Sequence, residues 1–357
     1  MMETIKKLNG LSLFSSAGIG EILLTKKKYQ ICVANELINE RSELYKKIHP
    51  MTIMINGDIS LKNTKNKILD ALDENIDFII ASPPCQGLSL AGKNRRSKEF
   101  TADNRNNLIL DVIYFIKKLS PSFALIENVP TLLKLELLHK KKVKNVIEIL
   151  QDELKKNYHI TYEIIDSSDF GIPQKRLRAI IKIYKKNITW PNPVKTKHIT
   201  VRDAIGHLPS LESGQHSNIP FHYARNHTPK HVEWMQNTPT GKSAFENKVY
   251  YPKKNGARIK GFNSSYRRIK WDAPAPTITI RSDAISSQRN VHPGHLKKDG
   301  LFSDARVLSP AELMILNSIP EKNKIPINTN ELLIRKVIGE SVPPLLIKKL
   351  FGSIQFA

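Results

Sequence analysis

Cys85 stands in Ser82-Pro83-Pro84-Cys85-Gln86-Gly87-Leu88-Ser89, directly after the apolar run Phe78-Ile79-Ile80-Ala81. Two prolines restrict the backbone just before the thiol, which places it in a loop at a strand's carboxyl end. A thiolate there is a nucleophile. The competing reading, a buried structural cysteine, suits the other cysteine, Cys32, inside its own apolar run. Glu127 follows a further run, Ala124-Leu125-Ile126, and faces the same expected crevice. In Gln174-Lys175-Arg176-Leu177-Arg178, alternation points Gln174, Arg176 and Arg178 to one side, toward that crevice or as a solvated strand face.

A second group suits a cofactor. Leu11-Ser12-Leu13-Phe14 runs into the small-residue loop Ser15-Ser16-Ala17-Gly18-Ile19-Gly20. Small residues let a backbone approach a ligand closely at the end of a first strand. Glu36 ends the next run, where a carboxylate accepts bonds from ribose hydroxyls, and Asp58 follows the third strand. In this order the three favour an adenosine-containing cofactor over a tight turn and two surface acids.

Elements must hold these residues in place. Short apolar runs at 11–14, 29–34, 78–81, 124–126, 160–165 and 179–184 alternate with helical patterns. In Asn107–Leu119, for example, Leu108, Val112, Phe115 and Leu119 share one face. Such alternation predicts a doubly wound α/β sheet with helices on both faces. The last two runs lack an intervening helix and predict an antiparallel hairpin. After Trp190-Pro191-Asn192-Pro193 the texture turns irregular, and 191–309 holds eight of the 11 histidines. Helical texture resumes at Ser309-Pro310-Ala311-Glu312, a capping box with proline at the first helical position. The expected organisation is a catalytic and cofactor-binding domain of 1–190 and 310–357, interrupted by a recognition domain of 191–309.

The chain has 357 residues, 40% of them hydrophobic, which suffices for a sizeable core and excludes disorder. Two cysteines exclude a disulfide scaffold and a cysteine-rich zinc site, and no His spacing suits a metal. No apolar run reaches membrane-spanning length and the N-terminus lacks a signal-peptide core, so the expected location is the cytoplasm. Fifty-six Lys and Arg against 33 Asp and Glu give +23. Such an excess implies a polyanionic partner unless it is compositional drift. The segment 191–309 carries +11 of it over 119 residues.

These blocks together resemble the DNA (cytosine-5)-methyltransferase family. The likeness runs in order over about 11–350. It takes in the loop at 14–21, Pro-Cys-Gln at 84–86, Asp103-Asn104-Arg105-Asn106-Asn107-Leu108, Glu127-Asn128-Val129 and the Gln-x-Arg-x-Arg run at 174–178. It continues through Arg268-Ile269-Lys270-Trp271 and Pro274–Thr277, and closes with Gly339-Glu340-Ser341-Val342-Pro343-Pro344. The resemblance implies an S-adenosylmethionine-dependent methyltransferase (Rossmann-like) mixed sheet and methylation of carbon 5 of a flipped-out cytosine through a Cys85 adduct. It implies catalytic roles for Cys85, Gln86, Glu127, Asn128, Arg176 and Arg178. Phe14, Ser15, Ala17, Gly18, Glu36, Asp58, Ile59, Pro83, Leu108, Ser341 and Val342 are expected at S-adenosylmethionine. Ser89, Lys253, Lys254, Arg258 and Arg268 are expected at double-stranded DNA, with 191–265 as target-recognition region. Basic and aromatic residues there, among them Phe221, His222, Tyr223, His227, Trp234, Tyr250 and Tyr251, suit groove and phosphate contact.

The sequence departs from the family at Ser12, where an acid is common, at Ser16, where the loop usually has Gly, and at Glu340, which replaces Asn. The resemblance further implies the modification half of a restriction–modification system. The cognate endonuclease would be a genetic rather than a physical partner, and the enzyme itself a monomer. The alternatives are a tRNA cytosine methyltransferase and a catalytically idle DNA-binding relative. Methyl transfer into DNA or tRNA, with Cys85→Ala as control, separates all three.

Overall fold

The computed structural model describes residues 7–24, 28–84, 107–320 and 325–357; Cys85, Gln86 and Ser89 lie outside them. The described chain divides into two compact units.

The first unit comprises 1–166, 177–194 and 347–357. Its main strands are β1 (Leu8–Leu13), β2 (Tyr29–Glu36), β3 (Ile53–Asn56), β4 (Phe78–Ala81), β5 (Phe123–Asn128), β6 (Glu136–His139), β7 (Lys142–Asn145), β8 (Tyr158–Asp166) and β9 (Leu177–Lys185). The main helices are α1 (Asn39–Ile48), α2 (Lys62–Asp70), α3 (Leu108–Leu119) and α4 (Val146–Leu154). Seven strands form one sheet in the order β3-β2-β1-β4-β5-β9-β8. β1 to β5 run parallel, and β9 is antiparallel to both β5 and β8. Strand order reverses between β1 and β4, so the loops leaving their carboxyl ends flank the crevice where such sheets bind ligands.

One face of the sheet buries Leu11, Leu13, Ile79, Ala81, Ala124 and Ile126 under Ile68 of α2, Val112 and Phe115 of α3, and Ile149 and Leu150 of α4. This is the 3.6-residue stripe expected of α3. The opposite face carries Phe78 stacked on Phe123 at 5.4 Å, with Phe351 and Trp190 edge-on to Phe123. Gly10 is required here, because a Cβ would come within 2.2 Å of the Phe78 ring. The β6–β7 hairpin has no counterpart in the sequence reading.

The second unit comprises 167–176 and 195–346. Its regular elements are short: α5 (Val201–Ile205), α6 (Pro229–Gln236), α7 (Pro310–Leu316), α8 (Glu331–Glu340) and a two-residue hairpin, Lys253–Lys254 with Ala257–Arg258. Trp234, Met235, Tyr266, Ile285, Val291 and Val307 form an apolar core. Beside it is a buried ionic one. Arg306 donates from Nη1 and Nη2 to the two carboxylate oxygens of Glu312 at 2.8 and 2.9 Å, and from Nη2 to Asp304 at 2.9 Å. Residues 310–346, expected with the α/β part, pack in this unit. Glu312 belongs to its ionic core, and Arg335 donates to the carbonyls of Ser282 and Leu308. The capping box at Ser309 and Glu312 forms as the sequence predicts.

Candidate active site

The loop after β1 is held in a conformation few side chains adopt. Phe14, Ser16 and Gly18 have φ of 58°, 48° and 69°. For the two non-glycine residues this costs about 1–2 kcal/mol each, so the surroundings must impose it. Ser16 N donates to Glu36 Oε2 at 2.9 Å and Ser15 N to the Asn35 carbonyl at 3.0 Å. Beneath the loop a buried network forms. Ser15 Oγ donates to Ser12 Oγ at 2.8 Å, Ser12 to Glu21, and Tyr45 OH to Glu21 Oε2 at 2.6 Å. Burial, with Glu21 alongside, keeps the Tyr45 hydroxyl protonated well above the usual tyrosine range. Glu21 thus supplies a carboxylate beside Ser12, the position where the resemblance expected an acid. Gly18 admits no side chain, since a Cβ would meet His49 and Tyr45 at 2.5–2.6 Å. Ala17 is buried against the same floor.

Glu36 is buried at the end of β2 and its Oε1 also accepts from Ile38 N at 2.8 Å. Asp58 is half-buried beyond β3 and caps Ser60 N at 2.9 Å. The Ile59 side chain is buried in the core, and Leu108 opens α3 partly covered by that core. A tight loop and two acids at successive strand ends fit an adenosine-containing group, with hydroxyl and amine donors facing carboxylates.

Glu127 is buried at the carboxyl end of β5, with Oε1 2.9 Å from Arg178 Nε on neighbouring β9. β5 also pairs with β4, the strand that leads into Pro83 and Pro84. Asn128 Nδ2 donates to the Pro83 carbonyl at 2.9 Å and its Oδ1 accepts from Val129 N. Asn128 therefore ties the end of β5 to the segment that enters the cysteine loop, a use no sequence pattern signals. Cys32 lies in β2, partly buried against the core, and burial pushes its thiol up. It is the structural cysteine.

Several expectations are corrected. β9 begins at Leu177, so Gln174 and Arg176 do not share a strand face with Arg178. Arg176 is buried and donates to the carbonyls of Ile278, Gly339 and Glu340 at 3.0–3.2 Å. These bonds fit the supporting role that the resemblance gives Arg176, with the base contact left to Arg178. Gln174 likewise bonds Asn317 and Ile278 in the second unit. Arg268, expected at DNA, is 0% exposed and donates to the carbonyls of Met235, His292 and Asp304. Burial pulls its guanidinium down to about 9. Arg258 stays exposed, its η nitrogens donating to the carbonyls of Phe245 and Asn247 and its guanidinium 3.6 Å from the Tyr251 ring centre. Phe221, His222 and Trp234 are buried. His227 accepts from Val307 N at 3.2 Å, and burial pulls it down to about 4. Lys253 and Lys254 are exposed as expected. In the second unit Ser341 accepts from Asn317 Nδ2 at 3.0 Å, and Val342 is buried.

The family model for C-5 cytosine-specific DNA methylases matches residues 8–356. Over 351 residues, 98% of either chain, the sequence is 56% identical to Type II methyltransferase M1.HgaI of Avibacterium volantium. It is 28% identical to Type II methyltransferase M1.HphI of Haemophilus parahaemolyticus over 95% of this chain and 84% of that one. Two solved structures share the fold. One is a prophage-encoded E. coli protein assigned as a DNA modification methyltransferase, with TM-score 0.67 at 19% identity, covering 97% and 99% of the two chains. The other is a methyltransferase of Entamoeba histolytica, with TM-score 0.63 at 15% identity, covering 98% of each chain.

Proposed function

This chain belongs to the C-5 cytosine-specific DNA methylases, and from that premise we propose that Cys85, Glu127 and Arg178 methylate a flipped-out cytosine within one particular DNA sequence. Carbon 5 of cytosine is too weak a nucleophile to take a methyl group directly. Addition of the Cys85 thiolate to carbon 6 moves an electron pair toward carbon 5. Glu127 holds ring nitrogen 3 and the exocyclic amine, and Arg178 the base oxygen, so charge developing on the ring meets fixed partners. Once carbon 5 has bonded the methyl group, whose bond to the donor's sulfur breaks, a base removes the carbon-5 proton, and Cys85 leaves as the 5,6 double bond re-forms.

The observation that carries this reading is the pairing of buried Glu127 with half-buried Arg178 at 2.9 Å, at the end of a strand that Asn128 ties to Pro83. S-adenosylmethionine supplies the electrophilic methyl group when bound. Phe14, the Ser15–Gly18 backbone, Glu36, Asp58 and Leu108 would hold it. Arg176 and Asn128 serve as supports of the site rather than as groups touching the base.

The relative M1.HgaI is a Type II methyltransferase; the present chain acts as a monomer in the cytoplasm, as the modification half of a restriction–modification pair. No described helix is long and apolar enough to cross a membrane.

Bisulfite sequencing of a plasmid carrying the gene should reveal one methylated sequence. Cys85→Ser should abolish methylation while DNA binding persists, and wild-type protein should be trapped covalently on 5-fluorocytosine DNA. Methylation surviving in Cys85→Ser sinks the mechanism. Methyl transfer into tRNA rather than DNA would install the alternative.

A further inference from the structure

The groups that the sequence offers for DNA contact in the second unit divide into those bonded to its own backbone and those left in water. Between Lys242 and Lys270 lie nine Lys and Arg and one acid, Glu246. The arginines of that stretch are struts: Arg258 and Arg268 as described, and Arg267 on the carbonyls of Asn263 and Gly241 and on Glu246. Lys248, Lys253, Lys254 and Lys260 face outward. The same stretch of chain carries Phe262, 80% exposed, the most exposed of Phe, Tyr and Trp among the described residues.

The segment presenting Phe262 is firmly built. Ser265 N donates to the Phe262 carbonyl at 2.8 Å and closes a turn. Ser243 Oγ donates to the Ser265 carbonyl at 2.8 Å, and Ala244 N to the Tyr266 carbonyl at 2.9 Å. Gly261 lies flat on the Phe245 ring, where a Cβ would come within 2.3 Å, and that ring meets Tyr266 edge-on at 5.5 Å. Residues on either side of Phe262 are thus anchored while its own ring is left in water. A phenyl ring has no bond to offer a phosphate. Beside lysines that do, its complementary surface is the apolar part of base edges, such as a thymine methyl in the major groove.

We propose that Phe262 is a base-contacting, specificity-determining residue for the methylation reaction, with the exposed lysines of the same stretch holding the phosphates. This rests on the reading that the second unit binds the DNA substrate. Phosphate contacts set affinity and salt dependence, and base contacts set discrimination, so the two kinds of residue separate by experiment.

The duplex bearing the site methylated by wild-type enzyme, and a random duplex, are titrated by fluorescence anisotropy at several salt concentrations. Phe262→Ala should lose roughly tenfold on the cognate duplex, leave the random duplex and the salt slope unchanged, and keep the wild-type Tm. Phe262→Leu should recover part of the loss. Lys253→Ala with Lys254→Ala should weaken both duplexes alike and flatten the salt slope. Leu138→Ala, an equally bare apolar side chain of the first unit, should change nothing. Equal losses by Phe262→Ala on both duplexes, or no loss on the cognate one, at unchanged Tm, would overturn the assignment. Wild-type enzyme that methylates no DNA would instead defeat the underlying functional reading.

Discussion

Glu36 carries two loads. Placed to accept ribose hydroxyls, it already accepts from Ser16 N and Ile38 N and so pins the left-handed loop. Replacing it with alanine leaves two backbone donors without their acceptor. Glu36→Ala should therefore weaken S-adenosylmethionine binding in calorimetry and also destabilise the free protein. The stability loss should be about 1.5–3 kcal/mol for charge-assisted bonds. Weakened cofactor binding at unchanged urea midpoint would show that the loop does not depend on this carboxylate. Cys85 is the opposite case: its chemistry is read from its neighbours in sequence, and its substitution should leave stability alone.

At the scale of elements, α7 shows one side chain serving two structures. Glu312 closes the capping box on Ser309 N at 2.7 Å and receives both donors of Arg306. Arg306 holds the Glu312 carboxyl well below the usual carboxylate range against the cost of burial. Breaking one side of a buried pair costs roughly 3–5 kcal/mol because the other charge stays unpaired. Glu312→Ala should cost that much in chemical denaturation, and a loss under about 1 kcal/mol would contradict the pairing.

The histidines beside these elements give the unit a pH dependence. His292 accepts from Gly294 N at 3.1 Å and His227 from Val307 N, bonds that only a neutral ring nitrogen makes. His292 faces Asp304, Glu312, Arg306 and Arg268, and burial with the arginine charges outweighs the acids, bringing it down to about 4; His227 lies at about 4 too. The unfolded chain takes up these protons near the ordinary histidine value of about 6.5. Stability is therefore complete above that value and falls as pH drops from there toward 4. Urea unfolding across this window should show a slope approaching two protons, and His227→Asn should remove about one of them. A flat profile would refute the neutral assignment.

For the molecule as a whole, the +23 charge fits the DNA substrate of its family, and under the proposed function its higher density in 191–309 is where phosphate contacts are expected. The packing boundaries refine how recognition can be transplanted. Trp234, Met235 and Ala244 share a core with Tyr266, Ile285, Val291 and Val307. A graft of 191–265 from a relative of different specificity would cut that core in two. Exchange of 195–346 as a block keeps the apolar and ionic cores intact. The block chimera should express in soluble form and methylate the donor's sequence by bisulfite readout, whereas the shorter graft should lose cooperativity in unfolding. A stable short graft would show that the two halves pack independently.

The nucleophile loop, the acids at successive strand ends, the α3 stripe and the Ser309 capping box are local signals. Each depends on residues within a few positions, where proline geometry, helical period and backbone capping act. That is why the α/β class, its sheet and the strand ends that carry the candidate site were legible from the chain alone. Which way a long polar side chain turns depends on acceptors distant in sequence. Arg268 finds carbonyls 24 to 36 positions away, and Arg176 finds them more than 100 away. No local pattern distinguishes these struts from groups meant for DNA. Residues 310–346 joined the second unit for the same reason, since the partners of Glu312 and Arg335 lie there. Phe262 carries no signal in the sequence, because exposure is a property of the surrounding fold. Only tertiary structure decided which basic residues turn inward and which face a partner, because burying a charge is tolerable only where folded backbone supplies its bonds.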